Sequence, residues 1–504
     1  MQKQILIVAK EDTIPIAAAS FDIIKQENKY NPKLLLITPL EEIIYKKAVK
    51  KYLFKRDYIL CWPVMRKFLN RKNLNELLRK KNKHLYQKLN YEICSHPTQL
   101  YDLNRRIQYR NNKPEYLKHV LFAQSLYLDE VLKNYANSEI IDFTVYDISR
   151  TILLLTSQKY NIIYKSLIRS RFENYIFCTK NLGDDIPKKL KNLKLDKKDI
   201  LRAKESIQRF KRYKDITSEA DKSSIPNKYS FQETYKIFIN IIRIMYSLGI
   251  KIYKLPLFYI RNRYIFKYYK YIFGNGFLIA FNTLLKEIRN IWRIWKPLKQ
   301  KIKIKKNFIY FPMPNTIENS ETRFNRGILS EKILINFLRP YLGNSVLLIK
   351  DHRSMLRDRT FEEIKSFSDI VNSIYISEWG ESWKICNPLH LIKNSILNIT
   401  IAGTAGLESA ILGQPVAILG EPIYGRFFEL NGYKFKSIRE ITQSLSKGRI
   451  NKSNYLIDKD IVIKFIASTI KEGIDMNVYF MIQQPFNKAN QIKLKKLLNF
   501  VLNK

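Results

Sequence analysis

The segment Ile399-Thr400-Ile401-Ala402-Gly403-Thr404-Ala405-Gly406-Leu407-Glu408-Ser409-Ala410 carries the most specific chemistry in the chain. A β-branched apolar run feeds a turn of small residues, and the turn opens a helix. Gly403, Ala405 and Gly406 let a ligand approach the backbone closely. The first N–H groups of such a helix lack intrahelical partners and stand at the positive end of its dipole, which suits phosphate. Thr404 adds a hydroxyl donor. Glu408 would repel phosphate, so its carboxylate suits a neutral diol such as a nucleotide ribose. A capping role fits it poorly: with Thr404 as N-cap, Glu408 lies four residues on, where a capping box needs three.

Two further stretches follow strand-like runs. Lys350-Asp351-His352-Arg353-Ser354, with Arg357 and Arg359 behind it, comes directly after Ser-Val-Leu-Leu-Ile at 345–349. Lys350 and His352 could neutralise a diphosphate or the phosphate of a CMP-sugar. His352 could instead protonate a leaving phosphate. A basic loop taken alone is more often merely solvated; its place at the end of a strand favours a site. Pro312-Met313-Pro314-Asn315-Thr316-Ile317-Glu318-Asn319-Ser320 also follows a strand. Its prolines stop the strand, and Glu318 and Ser320 offer a polar edge to a cleft. An ordinary loop between domains accounts for it equally well. A general base, where one is needed, is sought after the first strand at Asp12, then at Asp142. Each also reads as a plain turn or strand-end carboxylate.

No metal site or cofactor is expected. Cys61, Cys94, Cys178 and Cys386 stand far apart in sequence, and the five histidines form no HxxxH pair. Asp458-Lys459-Asp460 reads as a helix start. Developing charge on phosphate would then be met by helix N–H groups and basic side chains.

These residues need strands to present them. Gln4–Lys10, Ile14–Gln26 and Lys33–Thr38 read as strand, helix and strand, a crossover opening. Residues 40–135 read as mostly helical and basic, and Glu139–Val145 as a further strand. From 307 onward the pattern is regular. Strands are expected at 307–312, 345–350, 372–377, 398–402 and 415–419, with helices at Leu329–Leu338, Phe361–Phe367, Leu389–Ser395 and 403–412 between them. Such alternation implies a doubly wound parallel sheet, with ligands at the carboxyl ends of its strands. The division expected is an N-terminal Rossmann-like domain over 1–227, a basic aromatic helical insertion over 228–306, a C-terminal nucleotide-sugar-binding domain over 307–475 and a helical tail over 476–504.

The chain has 504 residues, 46% of them hydrophobic, enough for two or three packed cores. The formal charge of +44 has two readings: attraction to polyanions such as an anionic membrane surface, or the coding bias of a chain rich in Lys, Ile, Asn and Tyr. The lysines are spread throughout, and no nucleic-acid-binding motif accompanies them, so no specific nucleic acid is expected. Residues 228–306 interleave aromatics with Lys and Arg, as in Tyr264, Lys267, Tyr268, Tyr269 and Lys270. They read as a helical insertion on the protein's own surface or as an interfacial element on an anionic membrane. The N-terminal apolar run is too short for a signal peptide, which places the chain in the cytoplasm or on the inner face of the plasma membrane.

In this order and spacing, the three segments resemble the bacterial capsule polysaccharide biosynthesis family, which includes the Kdo transferases of capsule assembly. Members carry a P-L-x-x-x-P-E-x-S/T loop, then K-x-H-P after a strand, then G-T-x-G-x-E-A and a G-x-P. Pro312, Glu318 and Ser320 match the first, with Met313 in the leucine position; Lys350 and His352 match the second; Gly403, Thr404, Gly406, Glu408, Gly413 and Pro415 the third. Met313, Ile317, Arg353 and Ser409 depart from the pattern. The resemblance covers residues 305–430. It implies a GT-B-like α/β fold, two Rossmann-like domains facing a cleft, with the donor nucleotide on the C-terminal half and the acceptor on the N-terminal half. The implied activity is a metal-independent glycosyltransferase of surface or capsular polysaccharide synthesis. It would take a nucleotide-sugar donor and an oligosaccharide or lipid-linked glycan acceptor. Polyol-phosphate transfer, nucleotide-sugar epimerisation and a non-catalytic export or scaffold role on a similar fold stand as alternatives.

Overall fold

The computed structural model describes residues 2–10, 13–37, 57–60, 67–68, 71, 73–81, 83–84, 86–87, 114–144, 148–213, 307–313, 331–343, 345–351, 367, 373–376, 388–447, 450–476 and 486–504. Within them lie two sheets. The first has seven strands: β1 (Lys3–Ala9), β2 (Tyr30–Leu36), β3 (Tyr58–Leu60), β4 (Glu139–Asp142), β5 (Ile163–Arg169), β6 (Tyr175–Thr179) and β12 (Ile474–Asp475), in the order β12-β6-β5-β4-β1-β2-β3. The second has five: β7 (Phe308–Pro312), β8 (Val346–Lys350), β9 (Ser373–Ile376), β10 (Leu397–Thr400) and β11 (Val416–Ile418), in the order β11-β10-β7-β8-β9. All pairs in the second sheet are parallel. In the first, only the two pairs made by β6 are antiparallel.

The apolar runs explain the layering. Ile5, Leu6, Ile7, Val8 and Ala9 are all fully buried, as a central parallel strand covered by helices on both faces requires. The odd-numbered residues pack under α1 (Ile14–Gln26), with Ile14, Phe21 and Ile24. Leu6 and Val8 face the other way, toward α3 (Pro114–Leu132) and α4 (Ile148–Lys159). In the second sheet Ile309, Phe311, Leu347 and Ile349 pack under α7 (Glu331–Leu338), while Tyr310 and Leu348 face α8 (Pro388–Asn394) and α9 (Thr404–Leu412). The architecture is therefore α/β with two doubly wound sheets, the class expected of two Rossmann-like halves.

Most expected elements form within two or three residues of their places. The helix at Ile14–Gln26 matches, and the five strands of the second sheet appear in the anticipated order. The helix expected at Phe361–Phe367 falls outside the described residues except for Phe367, and so does the whole of 228–306. Strands β5 and β6 had no expectation attached. The lysine and serine inside β5 hide its alternation; both are buried, Lys165 beside Glu139 at 3.2 Å.

The chain ends where it began. After α12 (Lys459–Glu472), β12 pairs antiparallel with β6. Helix α13 (Lys488–Leu502) then lies beside α1. Leu494, Leu497, Leu498 and Val501 form its inner stripe at helical spacing and share a core with Ile5 and Ile7. Lys165 donates to the Leu502 carbonyl at 3.1 Å, a cation where the helix dipole is negative.

Helix α12 joins the two sheets' layers. It packs on α6 (Lys197–Tyr213) and α5 (Ile186–Lys191) of the first unit, and on α9 and α10 (Ile423–Leu430) of the second. Ser468 donates to the Leu190 carbonyl at 3.1 Å. Phe465 packs its ring at a tilt and edge-on against Phe427 and Phe428. At its end Glu472 accepts from Lys189 of α5 at 2.7 Å and from Lys504 after α13 at 2.5 Å. Burial pushes the Glu472 carboxyl up, but the two ammonium hydrogen bonds outweigh it and hold the group below its ordinary 4.5. A lowered carboxylate stabilises the fold above its unfolded pKa, and that contribution disappears as pH falls through the lowered value. Glu472→Ala should cost about 1–3 kcal/mol. The variant should also lose less of its remaining stability than the wild type between pH 6 and pH 3. Denaturant titrations of both proteins across that range measure the difference.

Candidate functional site

In each sheet the chain reverses its direction of winding once. The second sheet runs β7, β8, β9 to one side and then crosses back to β10 on the other. The crevice outside β7 and β10 is the switch point, where open parallel sheets bind ligands. The Gly403 turn leaves β10 at that place.

Thr400 ends β10 and α9 begins at Thr404, with Gly403 as its N-cap in an extended conformation, φ −71° and ψ 167°. The cap is thus one residue earlier than the sequence suggests, and no side chain caps the helix. Thr404 is the first helical residue. Gly403, Thr404 and Ala405 are partly exposed, whereas Gly406, Leu407 and Glu408 are buried. The N-terminal turn of α9 is therefore half open to solvent, as a ligand at a helix N-terminus would need.

The two glycines differ. A Cβ on Gly403 would meet only Thr400 Oγ1, at 3.5 Å. A Cβ on Gly406 would stand 2.9 Å from Thr400 Cγ2 and closer still to the Tyr424 hydroxyl. Gly406 is there to let α9 pack on α10. Tyr424 also donates to the Gly403 carbonyl at 2.5 Å, so this buried residue of α10 holds the turn from beneath. Tyr424 carries no motif of its own; its trace in the sequence is an aromatic residue two positions after Glu421-Pro422, at the start of an apolar helix. Gly413 closes α9 in the left-handed region at φ 67°, which accounts for the glycine of Gly413-Gln414-Pro415.

Lys350 ends β8, next to β7, and is almost fully buried, as is Asp351. Met313 N–H donates to the Lys350 carbonyl at 2.8 Å, so the loops leaving β7 and β8 start side by side. The structure thus sets Lys350 one strand beyond β7, with the Gly403–Ala405 turn on β7's other side. His352, Glu318 and Ser320 lie outside the described residues. So does Asp12. Thr13 returns to the Lys10 carbonyl through N–H at 3.1 Å and Oγ1 at 2.8 Å, in the loop from β1 to α1.

Asp142 stands at the switch point of the first sheet, but its carboxylate is committed. It is fully buried, accepts from Arg150 Nε at 3.0 and 3.1 Å, and accepts from Tyr164 Oη at 3.0 Å. A carboxylate so held is a structural anion, not a base waiting for a proton. Asp458 caps α12 by accepting from Asp460 N–H at 2.7 Å, the helix start anticipated for that pair. Among the described residues no three His, Cys, Asp or Glu side chains are placed to share a metal ion. None of the described helices is long and apolar enough to cross a membrane.

No family model and no curated protein matches this sequence. Solved structures do. The chain is similar to the beta Kdo 2,7 transferase of Thermosulfurimonas dismutans KpsC, at 11% identity and a TM-score of 0.35 over 68% of this chain and 80% of that one. It is similar to the beta Kdo 2,4 transferase of the same protein, at 10% identity and a TM-score of 0.34 over 66% and 78%. A UDP-GlcNAc 2-epimerase from Methanocaldococcus jannaschii, in complex with UDP-GlcNAc and UDP, matches at 8% identity and a TM-score of 0.27 over 94% and 99%. At such scores the likeness carries no argument about chemistry, and the fold rests on this chain's own strands.

Two substitutions separate packing from binding at the turn. Gly406→Ala should destabilise the protein by about 1–3 kcal/mol, because the methyl group collides with Thr400 and Tyr424. Gly403→Ala should leave the melting temperature within a degree or two, which makes it the cleaner probe of ligand contact. Asp142→Ala should cost about 3–5 kcal/mol by stranding the buried Arg150 guanidinium. Thermal melts of Gly403→Ala and urea titrations of the other two variants test these values.

Proposed function

We propose that the chain is a glycosyltransferase that uses a nucleotide-activated sugar, CMP-linked among the options, to build a surface or capsular polysaccharide. The observation that carries this reading is the half-open N-terminal turn of α9 at the switch point of a parallel sheet, with Lys350 on the neighbouring side of β7. The donor phosphate would sit on the N–H groups of Thr404 and Ala405 and the Thr404 hydroxyl. Lys350 would supply the positive charge. Glu408, one turn further along α9, would set the position of the ribose.

In the transfer, the bond between the anomeric carbon and the phosphate oxygen breaks, and the acceptor hydroxyl oxygen bonds to that carbon. The acceptor's proton goes to a base, for which Asp12 is the candidate because Asp142 is committed to Arg150. The electron pair leaves on the phosphate, where helix N–H groups, Lys350 and His352 would meet the growing charge. Glu318 and Ser320, on the loop after β7, would border the same crevice. The acceptor, an oligosaccharide or lipid-linked glycan, would stand on the first unit, on the cytoplasmic face of the plasma membrane.

Thermal-shift measurements with CMP, UDP, GDP and CDP test the donor site. A nucleotide at a hundred times its dissociation constant stabilises the folded state by about 2.7 kcal/mol. One of the four should raise the melting temperature of the wild type and have a weaker effect on Gly403→Val; no rise with any of them would refute the reading. With a donor identified, His352→Ala should lower kcat about a hundredfold, because its contact strengthens in the transition state. Glu408→Gln should mainly raise the donor KM. Wild-type turnover in His352→Ala would remove that residue from the phosphate site.

A further inference from the structure

The outer face of α13 has a composition that the fold does not use. Its inner stripe is spent on the core, as described above. On the opposite side stands Ile492, which at 73% exposure is the most exposed large apolar side chain among the described residues. Lys488, Lys495 and Lys496 lie four before, three after and four after Ile492, so they ring it on the same face. Lys493 is also exposed. Phe486, just ahead of the helix, is exposed as well. From Phe486 to Lys504 there are five lysines and no Asp or Glu.

Helix α6 is an internal comparison. It carries seven basic residues to α13's four, but Asp199 and Glu205 are interleaved through it, and Glu205 stands one turn after its exposed Leu201. Asp199 within it takes Lys471 of α12, and Arg209 takes Glu173 at 3.4 Å. On α13 the one such pair among the outer lysines is Lys495 with Glu27 of α1, at 3.4 Å. A ring of lysines around an exposed isoleucine and a neighbouring phenylalanine is the pattern of a helix that lies on an anionic membrane. There ammonium groups meet lipid phosphates and the apolar side chain enters the acyl boundary.

We propose that the outer face of α13, centred on Ile492, docks the protein on an anionic lipid bilayer. This names the surface responsible for the peripheral membrane association proposed above, and it stands or falls without reference to sugar transfer. Because α13 lies beside α1 on the first sheet, docking would hold the acceptor-side unit against the membrane.

The full chain should sediment with phosphatidylcholine vesicles containing phosphatidylglycerol, and not with phosphatidylcholine vesicles alone. Lys488→Gln/Lys493→Gln/Lys496→Gln should bind at least about tenfold more weakly, since each lysine near such a surface contributes substantially. A matched variant on α6, Lys197→Gln/Lys198→Gln/Lys204→Gln, should bind as the wild type does. All the altered side chains are exposed, and circular dichroism confirms that the variants fold. Ile492→Trp places a reporter at the centre of the face, and its emission should shift to the blue with anionic vesicles. Equal binding to both vesicle types would overturn the proposal. So would undiminished binding of the α13 triple variant. A bound Ile492→Trp protein whose emission does not shift would overturn it too, by showing that another surface makes the contact.

Discussion

Among the described residues, the central strands of both sheets are buried on both faces, and most of their charged side chains fall at the strand ends. Ile5–Ala9 and Phe308–Phe311 are closed to solvent above and below the sheet. A charged group inside such a strand survives only with a partner, as Lys165 does with Glu139. Chemistry is left to the loops, and the winding of each sheet decides which loops open a crevice. In the second sheet the reversal between β7 and β10 leaves one such place, and the glycine turn occupies it.

The turn is made by packing as much as by sequence. Gly406 allows α9 to approach α10 so closely that Tyr424 reaches through to the Gly403 carbonyl. That hydrogen bond satisfies the carbonyl side of the turn from inside, while Gly403, Thr404 and Ala405 stay partly exposed. Support from beneath would let such a turn receive an anion, as proposed above, with little reorganisation.

The two units are joined by more than their linker. Helix α12 packs on helices of both. Strand β12 extends the first sheet from the far end of the chain, and α13 completes the cover of that sheet. Glu472 ties the ends of α5, α12 and α13 at a single carboxylate. The last residues therefore belong physically to the unit that the first residues build.

Local pattern was enough for a good part of this. The alternation of apolar runs and amphipathic helices from residue 307 onward determines a parallel sheet and its element order, because strand and helix periods differ and each leaves its mark in the sequence. The strand–GTAG–helix segment is legible for the same reason, as are Asp458 as a cap and Gly413 as a helix stop. Tertiary structure decided what depends on distant partners. Asp142 looks like a free strand-end carboxylate until Arg150 and Tyr164 fold onto it. Gly406 looks like Gly403 until α10, eighteen residues on, fills the space where its side chain would be. The last helix looks like a tail until Leu494, Leu497, Leu498 and Val501 meet the first sheet. In each case the deciding contact joins residues that no periodicity relates, and only the folded chain brings them together.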